Sequence, residues 1–156
     1  MFQVSILLIS YNSAAHLRRC LDGLHAQTFK EFEVILVDNG SSDESLKIAR
    51  NHQILFKQKI IEQNANLGFA MANNIGVRMA HGKWIVLLNT DAYPEPNWLE
   101  SLLKAAERNP EYSFFSSRQI QYKAPHLLDG AGDQYHVSGL AWRRYYNYTE
   151  NDYGLN

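Results

Sequence analysis

One cysteine, four prolines and a net charge close to zero say first what this 156-residue chain excludes. The lone Cys20 cannot form an internal disulfide and fits a reducing compartment. A formal charge of -1 offers no basic field for nucleic acid or an anionic membrane surface. No apolar run approaches the roughly 20 residues of a bilayer-spanning helix. The stretch from Phe2 to Ile9 is too short and too alternated for a signal peptide, and Arg18 and Arg19 follow it rather than precede it. Glycine is missing where a dinucleotide site needs it: Tyr11-Asn12-Ser13-Ala14-Ala15 follows the first apolar run, with no G-x-G-x-x-G and no Walker A lysine. Six histidines without H-E-x-x-H spacing or a cysteine pair speak against zinc. No G-x-S-x-G elbow supports an esterase. No repeat and no low-complexity tract is present.

What is there reads as an α/β domain. The composition, 46% hydrophobic and 20% charged, is that of a globular chain with enough length to bury a core. Val4 to Ile9 predicts a first strand, and Leu17, Leu21 and Leu24 mark one face of a helix after it. Glu33 to Val37 is a second strand that stops at the turn signal Asp38-Asn39-Gly40. Ser41 and Glu44 match a capping box for a short helix through Arg50. Ile54 to Ile61 alternates as a third strand, and Gly68 to Met79 supports a helix with Ala72, Ile75 and Met79 on one face. Trp84 to Leu88, an unbroken apolar run, predicts a strand buried on both faces. Pro96 suits the first residue of a helix that turns Trp98, Leu102 and Ala106 inward, and Tyr112 to Ile120 reads as a fifth strand. Beyond Tyr122 the chain is loop-like, and Trp142 to Tyr153 is rich in aromatics.

Strands alternating with helices imply a mostly parallel sheet, and such sheets bind ligands beyond the carboxyl ends of their strands. Three of those ends carry polar groups suited to a nucleotide: Ser10-Tyr11-Asn12, Asp38-Asn39-Gly40 and Asn89-Thr90-Asp91. An Asp after the second strand can accept from ribose hydroxyls or a base N–H, and Tyr11 offers a stacking face. Asn66-Leu67-Gly68 enters a helix whose free N–H groups can receive a phosphate. Singly, each has a plainer reading as a turn residue, a cap or a core aromatic. Their coincidence on three strand ends favours a site.

Here a resemblance becomes specific. The segments SILLISYNSAAHLRRCLDGLHAQTFKEFEVILVDNGSSDES and NLGFAMANNIGVRMAHGKWIVLLNTDAYPEPNWLESLL resemble the opening and middle of family 2 glycosyltransferases, over residues 3 to 108. LDGAGDQYHVSGLAWRR resembles a region of the rhamnosyltransferase-like branch. The resemblance implies a Rossmann-like GT-A fold, a mostly parallel sheet with helices on both faces. Residues 1–122 would be the nucleotide-sugar-binding core and 123–156 a loop-rich start of the acceptor side, with the chain truncated before the acceptor half. Tyr11 and Asp38 would meet the base and ribose, and Ser10 and Asn12 would belong to the same nucleotide-sugar site. Asn66, Gly68 and Asn73 would lie near the diphosphate or sugar. Asn89-Thr90-Asp91 would occupy the family's D-x-D position, with Asp91 holding Mg²⁺ or Mn²⁺; Asn89 departs from the first Asp of that motif.

The implied activity is transfer of a sugar from a UDP- or dTDP-type donor to a glycan or lipid-linked acceptor in surface polysaccharide assembly, with inversion. The alternatives are a non-catalytic nucleotide-sugar-binding module and a sugar nucleotidyltransferase. The latter expects a Gly-rich loop with a basic residue where Tyr11-Asn12-Ser13 stands. No catalytic base is assigned: Glu150-Asn151-Asp152 matches a connecting loop better than the family's acidic motif, and Asp129 and Asp133 serve equally well as residues of a Gly-rich loop. The expected location is cytoplasmic, at the inner face of the membrane if other parts or partners carry it there. The C-terminal aromatics are candidates for self-association.

Overall fold

Seven of the residues Phe32–Asp38 are buried without a break, and a strand of that kind must have a neighbour on each side and cover on each face. The computed structural model, which describes residues 2–52, 57–149 and 151–152, supplies both. In its unit Met1–Ser101 the elements run β1 (Val4–Ser10), α1 (Ala14–His25), β2 (Phe32–Asp38), α2 (Ser45–Asn51), β3 (Lys57–Glu62), α3 (Phe69–Val77) and β4 (Trp84–Asn89). The four strands form one sheet in the order β3-β2-β1-β4, every pair parallel. This is the expected α/β class.

Successive strand residues point to opposite faces. On one face Leu7, Ile35 and Val37 pack with Ala72 of α3. The residues of opposite parity, Ile6, Leu8, Val34 and Leu36, are equally buried, so the second face is covered too. The predicted stripe of α1 is buried as Leu17, Leu21 and Leu24, with Cys20 beside them.

Several sequence expectations shift. Among the described residues β4 is one of the two terminal strands of this sheet, and Ile85 and Leu87 are exposed, because α3 packs on β1 and β2 instead. An apolar run reports what a strand can bury, and β4 buries less. The capping box does not form: α2 begins at Ser45, without a side-chain cap bond from its N-cap Glu44. The first part of the third strand candidate, residues 54–56, lies outside the described residues. Helix α4 (Trp98–Arg108) starts two residues after Pro96, and its buried positions are Leu99, Leu103 and Ala106 rather than Trp98 and Leu102.

The unit Leu102–Asn156 holds two small antiparallel pairs. β5 (Gln119–Ile120) pairs with β6 (Leu128–Gly130), and β7 (Asp133–Tyr135) with β8 (Ala141–Arg143). The predicted fifth strand therefore shrinks to two residues and stands outside the parallel sheet. Phe114 is 94% exposed within that span: aromatic β-propensity needs a surface to pack on, and none is supplied there. The hairpin of β7 and β8 falls in the stretch expected to be loop. Asp129 pairs with Arg143, and the Trp142 indole donates to Gln134 Oε1 at 2.8 Å. Among the described residues no helix is long and apolar enough to cross a membrane.

Candidate functional site

The parallel register brings the polar strand ends to one edge of the sheet. Ser10 lies beside Asp38, Asp38 beside Glu62, and Ile9 beside Asn89. The ladder runs on for one more bond on each side of Asp38: Asn39 N donates to Ser10 O at 2.7 Å, and Gln63 N to Asp38 O at 2.8 Å. Every loop that follows, from β1, β2, β3 or β4, leaves from this carboxyl edge.

Asp38 is the centre of it. Its side chain is 3% exposed, and Oδ2 accepts from Ser41 N at 3.1 Å, which shapes the turn as a plain reading of the sequence would have it. The other oxygen, Oδ1, is buried and has no partner. The hydroxyl of Ser10, its register neighbour, is also buried and without a partner. Buried polar atoms are nearly always satisfied, because leaving one unpaired costs on the order of 1–3 kcal/mol. These two atoms, on adjacent strand ends, leave the bonding of this edge incomplete.

The surroundings are stiff. Gly40 has φ +78°, and a Cβ there would stand 2.7 Å from the Ala65 carbonyl carbon, so only glycine lets the two loops touch. Asn39 fastens the contact: its Nδ2 donates to Asn66 Oδ1 at 2.9 Å, and its Oδ1 accepts from Leu67 N at 3.0 Å. Asn66 Oδ1 also accepts from Gly68 N at 2.9 Å. Asn66 thus shapes the entry to α3 and does not cap it. Gly68, with φ +82°, is the N-cap, and the first helical bond runs from Ala72 N to Gly68 O. The N–H groups of Phe69, Ala70 and Met71 precede that bond and point off the helix end.

Tyr11 is half exposed, and Asn12 turns the chain at φ +50°. Thr90 donates its hydroxyl to Ser13 Oγ at 2.9 Å, which ties the end of β4 to the turn after β1. Asn89 and Asp91 are exposed. Asp91 lies close enough to Cys20 to act on it: burial, and then the Asp91 charge, push the thiol up to about 12, so Cys20 stays neutral and inert. The residues named from the sequence therefore lie at the carboxyl edge and at the start of α3. Asn73 is buried one turn into α3, where its Nδ2 donates to the Phe69 carbonyl. Among the described residues no three His, Cys, Asp or Glu side chains form a cluster able to hold a metal ion. Asp91 presents a single exposed carboxylate, which suits a hard cation that takes its other ligands from phosphate and water.

Sequence reasoning missed the residues that hold the turn after β1: Ser13, Ser41, Asp43 and Ser45. The signal was the run Ser41-Ser42-Asp43-Glu44-Ser45 itself, whose short acceptors and donors are read more readily as a local cap than as a long-range brace.

A family model described as Glycosyl transferase family 2 matches residues 5–153. Glycosyltransferase GlyA of Streptococcus pneumoniae is 32% identical over 107 residues, 65% of this chain and 15% of GlyA. Among solved structures, S. aureus TarS 1-349 in complex with UDP-GlcNAc is similar with a TM-score of 0.66 at 24% identity, over 70% of this chain and 32% of that one. The mannosyltransferase PcManGT from Pyrobaculum calidifontis, in complex with GDP-Man and Mn²⁺, is similar with a TM-score of 0.64 at 24% identity, over 76% of this chain and 35% of that one. At that identity the two structures speak for the fold. The chain spans well under half the length of each of these proteins.

Proposed function

The chain belongs to glycosyl transferase family 2, and from that premise we propose that it carries the donor side of a glycosyltransferase, binding a nucleotide-diphosphate sugar across the carboxyl edge of its sheet. The observation that carries this reading is the pair of buried, partnerless oxygens on Ser10 and Asp38. Asp38 Oδ1 would accept from a base N–H or a ribose hydroxyl, and the Ser10 hydroxyl would bond beside it. The half-exposed Tyr11 ring would stack on the base. The open N–H groups at the start of α3, with the positive end of that helix, would receive diphosphate oxygens.

Asp91 would hold Mg²⁺ or Mn²⁺ against the diphosphate, and the exposed Asn89 would hydrogen-bond a hydroxyl. The cation, when bound, would neutralise charge that grows on the departing nucleoside diphosphate. In the reaction the acceptor hydroxyl attacks the anomeric carbon from the face opposite the diphosphate. The new C–O bond forms, the old one breaks with its electron pair going to the diphosphate, and the hydroxyl proton passes to a base. This chain's own residues would bind and orient the donor for that displacement. The acceptor in this reading is a glycan or lipid-linked hydroxyl, and the donor is of UDP or dTDP type. Two neighbours of this fold, solved with UDP-GlcNAc and with GDP-Man, support a nucleoside-diphosphate donor.

Titration calorimetry of the chain with UDP, dTDP and GDP, each with and without Mn²⁺, tests the proposal. One of the three should bind at a single site and more tightly with the metal. A folded chain that binds none of them refutes it.

A further inference from the structure

Four consecutive backbone amides after β1 are each met by a side chain. Tyr11 N donates to Ser13 Oγ at 3.2 Å, Asn12 N to Ser41 Oγ at 3.0 Å, Ser13 N to Ser45 Oγ at 2.7 Å, and Ala14 N to Asp43 Oδ2 at 2.9 Å. Three of the four acceptors come from one short segment, Ser41 to Ser45, about thirty residues along the chain. The bond in the other direction is there too, from Ser42 N to Asn12 Oδ1 at 2.9 Å. The N-cap of α1, Ser13, makes no side-chain cap bond of its own, so the first amide of that helix is capped from across the site. Asn12, at φ +50°, sits in the left-handed region that asparagine enters more readily than most residues, and these bonds fix it there.

The bonds converge on one carboxylate. Asp43 Oδ2 takes the Ala14 amide, and Oδ1 takes both the amide and the hydroxyl of Ser45, whose oxygen in turn takes Ser13 N. A single side chain thus caps the starts of α1 and α2 together. Both its oxygens are in use within the protein. We propose that Asp43 is a positioning residue of the donor site, which acts through the turn Tyr11–Ser13 to set the Tyr11 ring and the Ser10 hydroxyl for the nucleotide. The proposal rests on the nucleotide reading of the same edge. The hydrogen bonds from Ser45 and Ala14 hold its carboxyl below the usual aspartate range even against the burial that works to raise it, so the brace stays charged through neutral pH.

A residue with a merely structural role would cost stability without choosing what else is lost. The comparison that separates the two uses Asp43→Ala, Asp43→Asn and, as a control, Ser5→Ala at the opposite end of the sheet. For each, thermal midpoint, affinity for UDP, dTDP and GDP, and amide hydrogen exchange at residues 11–14 are measured on the 156-residue chain. Asp43→Ala should weaken the best-bound nucleotide about tenfold or more and speed exchange at Asn12 and Ala14. Asp43→Asn keeps one carbonyl acceptor and should fall between, and it carries the comparison if the alanine variant does not fold. Ser5→Ala should lower the midpoint yet bind within about twofold of the wild type. Wild-type affinity in the Asp43 variants, or an equal loss in Ser5→Ala, overturns the positioning role while leaving the nucleotide reading intact. A wild-type chain that binds no nucleotide overturns both.

Discussion

Asp38→Asn should move affinity and stability in different directions. The carboxylate is buried, one of its oxygens shapes the turn through Ser41 N, and the other has nothing to bond. In the variant the amide oxygen keeps the Ser41 bond and the NH₂ takes the place of Oδ1. A buried charge is removed, which favours the folded chain, and an unpaired NH₂ replaces an unpaired oxygen at a similar cost of about 1–3 kcal/mol. The unliganded protein should therefore stay within about 1 kcal/mol of wild type, or gain. On the proposed reading binding should suffer, because the group that would meet the nucleotide changes from a charged acceptor to a donor. A hydrogen bond to a charged group contributes about 1.5–3 kcal/mol. At about 1.4 kcal/mol per factor of ten, the nucleotide should bind about 10- to 150-fold more weakly. Urea denaturation gives the first quantity and titration calorimetry the second. Unchanged affinity in the folded variant, or affinity and stability falling together, would return Asp38 to the role of a turn former.

Three further expectations follow from the same geometry. In Asp91→Asn, the tightening of nucleotide binding by Mn²⁺ should disappear while metal-free binding stays near wild type; an unaltered Mn²⁺ effect removes Asp91 as the ligand. Glu33 is buried at the other end of the sheet and accepts from Ser5 Oγ at 2.8 Å and His81 N at 2.7 Å. Burial works to raise its pKa, but these bonds and the His81 ring together lower it, so its contribution to stability is present above the usual glutamate range and is lost as pH falls through the lowered value. Glu33→Gln should flatten that acid loss in stability measured by urea denaturation between pH 6 and about pH 3. Gly40→Ala combines a left-handed φ with a Cβ 2.7 Å from backbone, and should cost about 2–4 kcal/mol in the same assay.

The polar edge of the sheet was legible where its signal is local. Asp38 ends an apolar run, and so do Ser10 and Asn89, so the period of the strands alone aims these groups at one edge. The brace around Asp43 was not legible, since serine and aspartate spacings mean turn or cap in sequence, and only the fold decides that Ala14 is what they cap. That Asn73 gives its Nδ2 to the Phe69 carbonyl of its own helix was not legible either, because the residue type suits a ligand contact as well. The openness of β4 was hidden for a related reason: Trp84 to Leu88 is as apolar as β2, but hydrophobicity does not say whether a neighbour lies on the far side. Tyr112 to Ile120 failed the same way, with strand-forming residues and too little to pair with.

That open strand bears on how the molecule behaves at the bench. β4 pairs with β1 on one side only, no strand among the described residues extends the sheet beyond it, and Ile85 and Leu87 show their side chains to solvent. An apolar sheet edge of this kind is a template for another copy's strand, with concentration as the control variable. Light scattering against protein concentration should rise earlier for the native chain than for Leu87→Lys, whose charge spoils the template. Nucleotide titrations run below that onset will measure single molecules; those run above it will measure associated copies.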